Sequence, residues 1–363
     1  MNRRPHSIAG WIGYGVLGLF VVAAIVLVAG TVYQYLANRE DLRSNPPPGQ
    51  LVDVGGHRLH LWCTGAGSPV VVLEVGGGGN VLEWTLVQPE VAKTTRACSY
   101  DRAGFGWSEL GPNPRSAAQI VSELHTLLRA AQVPGPYILA GHSLGGLFVR
   151  LYASAYPAEV AGMVLVDSTH EDFQQRMPPE ASASGGSPRA LHLIMNLNKV
   201  MAVVGFARLT GAPLPRGLGV DEETIKLAEQ IRFRTRVPFA DAAETLALDE
   251  SMRQVRETQR VLDIPLAVVT RGRYDGLRRL PKEAQERIKE AWESMQTDLV
   301  SLSPQGTQVV AAKSEHYVHL QQPAVVVDAI RRIVAQARLS TTTSAGVSHS
   351  SVEADSSAAP PPK

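Results

Sequence analysis

The chain reads as an α/β protein with a mostly parallel sheet and helices on both of its faces. Three observations predict this. Short apolar runs alternate with helix-patterned segments over most of the length. Val70-Val71-Val72-Leu73-Glu74-Val75 is a nearly continuous apolar strand, as expected where both sheet faces are covered. Residues 136–156 run from an apolar strand through Gly141-His142-Ser143-Leu144-Gly145 into a helix.

The elements follow in order. Residues 50–54 and 57–63 are two strands joined by Gly55-Gly56, a dipeptide suited to a tight hairpin turn. The strand at 70–75 runs into Gly76-Gly77-Gly78-Gly79-Asn80, and 81–91 reads as a helix. Residues 95–100 form a strand ending in Asp101-Arg102-Ala103-Gly104-Phe105-Gly106-Trp107-Ser108. An amphipathic helix covers 116–131, and Pro134-Gly135-Pro136 separates it from the strand before Ser143. Further strands are expected at 162–167, 265–270 and 306–312, with a closing helix at 324–337. Between 167 and 264 no strand pattern is visible, and 191–209, 221–236 and 239–261 read as helices. A segment of that length is no loop. It is read as a helical cap, about 173–262, over the C-terminal edge of the sheet.

The ends differ from the middle. Residues 7–38 contain no charge, and an apolar run from 8 to 33 is long enough to cross a bilayer, which takes ~20 residues. The expected organisation is a cytoplasmic N-terminus at 1–7, a transmembrane helix at 8–37 (a cleaved signal peptide being the alternative reading), a stiff linker at 38–49 and a folded domain at 50–339. Arg3 and Arg4 place the N-terminus in the cytoplasm and the folded domain outside it. Residues 340–363, rich in Ser, Thr and Ala, are expected to be disordered. The 363 residues carry 35 basic and 34 acidic side chains, a balance that speaks against nucleic acid as a partner. Two cysteines, Cys63 and Cys98, form neither a disulfide scaffold nor a thiolate metal site.

A Gly-x-Ser-x-Gly between strand and helix is a nucleophile elbow: the serine sits on a strained turn with its hydroxyl exposed. Ser143 is therefore the candidate nucleophile. A hydroxyl is a poor nucleophile at neutral pH unless an imidazole takes its proton. The glycine run at 76–79 lacks the Gly-Lys-Ser/Thr ending of a phosphate loop, and no histidine, cysteine or carboxylate spacing matches a metal site. No cofactor is expected.

Taken together, the initial hairpin, the glycine run after the third strand, residues 101–108, the Gly-His-Ser-Leu-Gly-Gly elbow, the cap position and Ser314-Glu315-His316-Tyr317-Val318-His319-Leu320 closely resemble the α/β-hydrolase superfamily. The resemblance covers about 51–339. It implies eight strands in the order 1-2-4-3-5-6-7-8, and a catalytic serine, acid and histidine in that chain order. It places the histidine at His316, with His319 as the rival. Relatives commonly have Ser-Gly-His where this chain has Ser-Glu-His, so Glu315 puts a carboxylate beside the base. The acid follows the sixth or the seventh strand: Asp167 is favoured, with Asp275 the alternative and Asp172 a further candidate. Trp292-x-x-Met295-Gln296 resembles a subgroup that does not reliably carry its acid in the later loop. By analogy the oxyanion donors are the N–H groups of Leu144 and Gly77. The implied sheet order makes the strands of Cys63 and Cys98 neighbours, so a disulfide between them is plausible outside the cytoplasm.

The expectation is a membrane-anchored serine hydrolase acting on a partly hydrophobic small-molecule ester or similar acyl substrate. Thioesterase, lactonase, amidase or peptidase and cofactor-free haloperoxidase chemistry would use the same residues. A binding protein on a hydrolase scaffold is the alternative from another class.

Overall fold

The computed structural model describes residues 8–181, 188–211, 214, 216, 218–258 and 261–350. Its eight strands are β1 (Gln50–Asp53), β2 (Arg58–Thr64), β3 (Val70–Glu74), β4 (Ala97–Asp101), β5 (Tyr137–His142), β6 (Val160–Val166), β7 (Leu266–Arg271) and β8 (Gly306–Ala311). They form one sheet in the order β1-β2-β4-β3-β5-β6-β7-β8. β1 pairs antiparallel with β2, and β2 with β4. The remaining pairs are parallel.

Alternation along the strands divides the core. Val70, Val72, Leu139, Leu165 and Val268 pack to one face, while Val71, Leu73, Ile138, Val164 and Val269 pack to the other. On the first face lie α3 (Ala117–Ala130) and α4 (Gly145–Ala155), through Leu124, Leu127 and Leu147. On the second lie α2 (Gln88–Ala92) and the closing helix, through Val91, Val326, Ile330 and Ile333. Truncating one of these buried side chains to alanine costs about 2–5 kcal/mol, against about 0–1 kcal/mol for an exposed ion pair. The two apolar faces therefore hold the sheet edge on which the site is built.

Several boundaries differ from the sequence reading. Residues 81–91 are a short 3-10 turn (Val81–Trp84) and then α2, because Pro89 permits a helix only in its first turn. The cap comprises α5 (Phe173–Arg176), α6 (Pro188–Val203), α7 (Phe206–Thr210), α8 (Glu222–Arg232), α9 (Val237–Leu246) and α10 (Leu248–Thr258). Gly205, at a φ of +72°, separates α6 from α7 within one expected helix. Between β7 and β8 stands α11 (Lys282–Val300), a helix not assigned from the sequence. A short α12 (Val318–Gln321) precedes α13 (Pro323–Ser350), which runs into the stretch expected to be disordered. The last part of that expected tail, 351–363, lies outside the described residues, as does the expected cytoplasmic segment 1–7.

The N-terminal helix α1 spans Ile8–Ser44 and is long and apolar enough to cross a membrane, with a mean hydropathy of 2.6 over its best window. It does not stop at residue 37. Residues 38–44, expected as linker, continue the helix because they are held by the cap: Arg208 bonds Asp41 at 2.6 Å, and Asn38 Nδ2 donates to Thr235 Oγ1 at 2.7 Å. Just beyond, Trp107 Nε1 donates to the carbonyl of Asn45 at 2.9 Å.

Candidate active site

The site lies at the C-terminal ends of β3, β5, β6 and β7. At the end of β5 the chain turns sharply, with Ser143 at a φ of +52°, and enters α4. A non-glycine residue in the left-handed region is strained, and it persists where the surroundings over-determine it. Here Ser143 N donates to Val166 O at 3.1 Å and Ser143 O accepts from Thr169 N at 3.0 Å. The flanking glycines make room: a β-carbon at Gly141 would stand 2.7 Å from the Gly145 carbonyl oxygen, and one at Gly145 would stand 2.5 Å from that of Val75. The pentapeptide's spacing is thus the packing condition of the turn.

Three distant segments meet at the serine. His316 Nε2 lies 3.0 Å from Ser143 Oγ. His316 Nδ1 lies 2.7 Å from Asp167 Oδ2. Asp167 is fully buried at a φ of +42°, and its other oxygen accepts from Trp292 Nε1 at 2.9 Å and from the Arg271 backbone N–H at 3.2 Å. The Arg271 side chain adds an ion pair at 3.5 Å and stacks 4.2 Å from the Trp292 ring centre. Both carboxylate oxygens are therefore occupied, which fixes the plane of the carboxylate and with it the imidazole.

Asp275 is not brought to His316. It follows β7, and its carboxylate is held by Arg273 and by Arg278, the latter at 2.8 Å. Glu315 is also turned away, since its Oε1 accepts from Gly276 N at 2.9 Å. His319 is fully buried with no hydrogen bond to Ser143 among the described residues. Its ring packs 4.9 Å from Trp84 and 4.2 Å from His142.

Ahead of the serine, the loop after β3 lies against the elbow: a β-carbon at Gly77 would stand 2.8 Å from Leu144 Cδ1. The backbone N–H groups of Gly77 and Leu144 have no acceptor among the described residues. The loop is held from behind by Arg102, which donates to Val75 O at 2.9 Å and to Gly76 O at 2.8 Å. The same guanidinium bonds Glu74 at 2.6 Å and Glu244, on α9 of the cap, at 2.8 Å. Burial pushes the Glu74 carboxyl up to about 7, against the opposing pull of Arg102. Neither the Arg102 bridge nor the grip of Trp292 and Arg271 on Asp167 was legible from spacing. The Trp292 pattern was visible, but its role was not.

His142 packs against His316, with ring centres 4.7 Å apart. Burial holds its imidazole well below the usual range, and His319 and His316 add to the effect. Neutral, it donates from Nε2 to His316 O at 3.0 Å. Linear spacing indicated no metal site, yet Glu83, His142 and His319 have ligand atoms all within 4.8 Å of one another. A first-row ion held there would need each at ~2.0–2.2 Å. His142 could offer only Nδ1, its other nitrogen being engaged.

On the cap side, a cleft of about 330 Å³ reaches the loop after β3 and is lined by Gly77, Phe105, Leu218, Ile225, Ile231 and Tyr317. Away from the site, Cys63 and Cys98 are register partners on the neighbouring strands β2 and β4, with Cα atoms 4.0 Å apart, and are joined as a disulfide.

With this geometry in view, a sequence model described as "Alpha/beta hydrolase family" matches residues 70–329. The chain belongs to the α/β-hydrolase family. An AB hydrolase superfamily protein of Gibberella zeae is 25% identical over 293 residues, 73% of this chain and 86% of its own length. A probable transporter of Hormonema carpetanum is 27% identical over 312 residues, 79% of this chain but 42% of its own length. The chain thus spans less than half the length of the first curated relatives it matches. Among solved structures, a thermophilic esterase from Thermogutta terrifontis superposes with a TM-score of 0.57 at 21% identity, covering 79% of this chain and 98% of that one. At that identity the likeness speaks for the fold.

Proposed function

We propose that this α/β hydrolase is a membrane-anchored serine esterase that works through an acyl-enzyme. Ser143 Oγ attacks the acyl carbon as its proton passes to His316 Nε2. The carbonyl oxygen gains the negative charge and is held by the Gly77 and Leu144 N–H groups, donors of a kind worth ~3–4 kcal/mol in acyl transfer. His316 then returns the proton to the departing alcohol as the tetrahedral intermediate collapses to the acyl-serine. Water repeats the sequence and frees the acid. Asp167 holds the imidazole with Nε2 facing the serine and stabilises its cationic form. The carrying observation is the unbroken set Ser143–His316–Asp167, at 3.0 and 2.7 Å, on a strained elbow.

The apolar cleft favours an ester with a hydrophobic acyl or alcohol portion. The apolar helix α1 supports a single-pass anchor, and the Cys63–Cys98 bond suits a catalytic domain outside the cytoplasm. The test is turnover of a p-nitrophenyl ester series by the full chain in detergent. Ser143→Ala and His316→Ala are each expected to lower kcat by about 10⁴-fold or more with folding intact. Turnover that survives either substitution rules out the assignment of that residue.

A further inference from the structure

The cap carries an apolar surface that the catalytic account leaves unused. Leu193, Leu197 and Val200 line one stripe of α6, Ile194 flanks it, and Phe206 and Leu209 extend it onto α7. All six are exposed, Leu193 to 70% and Leu209 to 68%. Residues 188–210 contain Arg189, Lys199 and Arg208 and no acidic residue. An exposed apolar face of this composition, with no acidic residue on its segment, marks a contact surface.

Its position identifies what covers it. The corner between α6 and α7 rests directly on α1: a β-carbon at Gly30 would overlap the Val204 carbonyl, and one at Gly205 would stand 3.0 Å from the Tyr33 ring and 3.1 Å from the Gly30 carbonyl oxygen. Gly30 lies about one helical turn inside the apolar end of α1 at Tyr33. The first polar side chain beyond it, Gln34, is already bonded to the cap, donating to Phe233 O at 2.7 Å. The cap therefore meets α1 where the apolar segment ends, rather than at the end of a flexible tether.

We propose that the exposed apolar face of α6 and α7 lies in the interfacial layer of the phospholipid bilayer that α1 spans, so that the cap rests in the membrane surface. This rests on the anchoring reading above. Apolar side chains enter the boundary between headgroups and acyl chains, while Arg189 and Lys199 meet the phosphates. The consequence is a supply route. α8, whose C-terminal turn is tied to the residue just after α1 by Asn45 Nδ2 donating to Gln230 Oε1 at 3.1 Å, also forms a wall of the cleft through Ile225 and Ile231. A membrane-dissolved ester would then reach the cleft from the surface on which the cap lies.

The test uses the full chain in phosphatidylcholine–phosphatidylglycerol vesicles. Because Cys63 and Cys98 are bonded, a single introduced cysteine takes a fluorophore alone. Leu197→Cys reports the cap face and Leu19→Cys reports the anchor. Lipids with a quencher at a shallow or a deep acyl position are expected to quench the Leu197→Cys label from the shallow position and the Leu19→Cys label from the deep one. Quenching at Leu19→Cys with none at Leu197→Cys overturns the proposal while leaving the anchor standing. Quenching at neither overturns the anchor, and the proposal with it. Cross-linking of Leu197→Cys between copies without lipid quenching would instead make this face a dimer contact and overturn it. As a second reading, Leu193→Glu with Leu197→Glu is expected to lower turnover of a long-chain ester held in the vesicles about tenfold. A soluble short-chain ester should be turned over unchanged. An equal loss on both substrates counts against the proposal.

Discussion

The loops that follow β6 and β7 leave adjacent parallel strands, and each carries an aspartate, yet they build opposite environments. Asp167 is fully buried, with Trp292, the Arg271 N–H and His316 on its two oxygens. Asp275 is partly exposed, between the exposed guanidinium groups of Arg273 and Arg278. A carboxylate can orient an imidazole only if its own plane is fixed, and packing fixes one of these while solvent competes for the other. The contrast teaches that which aspartate meets His316 is decided by what surrounds the loop, above all by Trp292 on α11, and not by the loop's own sequence.

The contrast can be broken at four points, in falling order of effect. Asp167→Asn keeps the shape but presents an amide to His316 Nδ1, and kcat is expected to fall about 10⁴-fold in steady-state ester hydrolysis. A loss under tenfold would move the acid elsewhere.

Buried Glu74 extends the same contrast to stability. Its carboxyl is raised from 4.5 to about 7, so the folded state binds a proton that the unfolded chain releases. Stability from this group is complete below pH 4.5 and is lost as pH rises toward about 7, by on the order of 3 kcal/mol. Urea melts across that window should show the wild type losing stability relative to Glu74→Gln, and parallel curves would refute the shift.

Trp292→Phe removes one hydrogen bond to the Asp167 carboxylate while keeping the ring stack. About a tenfold fall in kcat is expected, with KM unchanged. A change in KM alone would mean that Trp292 shapes the cleft rather than the acid. Asp275→Asn closes the series: its exposed ion pairs are worth ~0–1 kcal/mol, and activity should stay within about twofold.

What was legible in the sequence follows from how local each cause is. The elbow could be read because Gly141 and Gly145 answer to contacts within the turn itself and with the next strand. The sheet could be read because its central strands, β3, β5, β6 and β7, are mainly apolar and buried. The two aspartates could not be separated, because Trp292 lies 125 residues from Asp167 and nothing local marks the bond between them. The extension of α1 through residues 38–44 was hidden for the same reason, since Arg208 and Thr235 are distant in the chain. Gly205 was visible but sat inside an apolar run whose helical pattern continues on both sides of it.

The central claim is that Ser143 is the residue on which the acyl group is carried. It is tested most directly by treating the full chain in detergent with a fluorophosphonate probe, digesting it, and locating the adduct by mass spectrometry. One adduct is expected, on the peptide containing Ser143, absent in Ser143→Ala and much slower to form in His316→Ala. Folded protein that forms no adduct, or forms it equally in Ser143→Ala, would contradict the account.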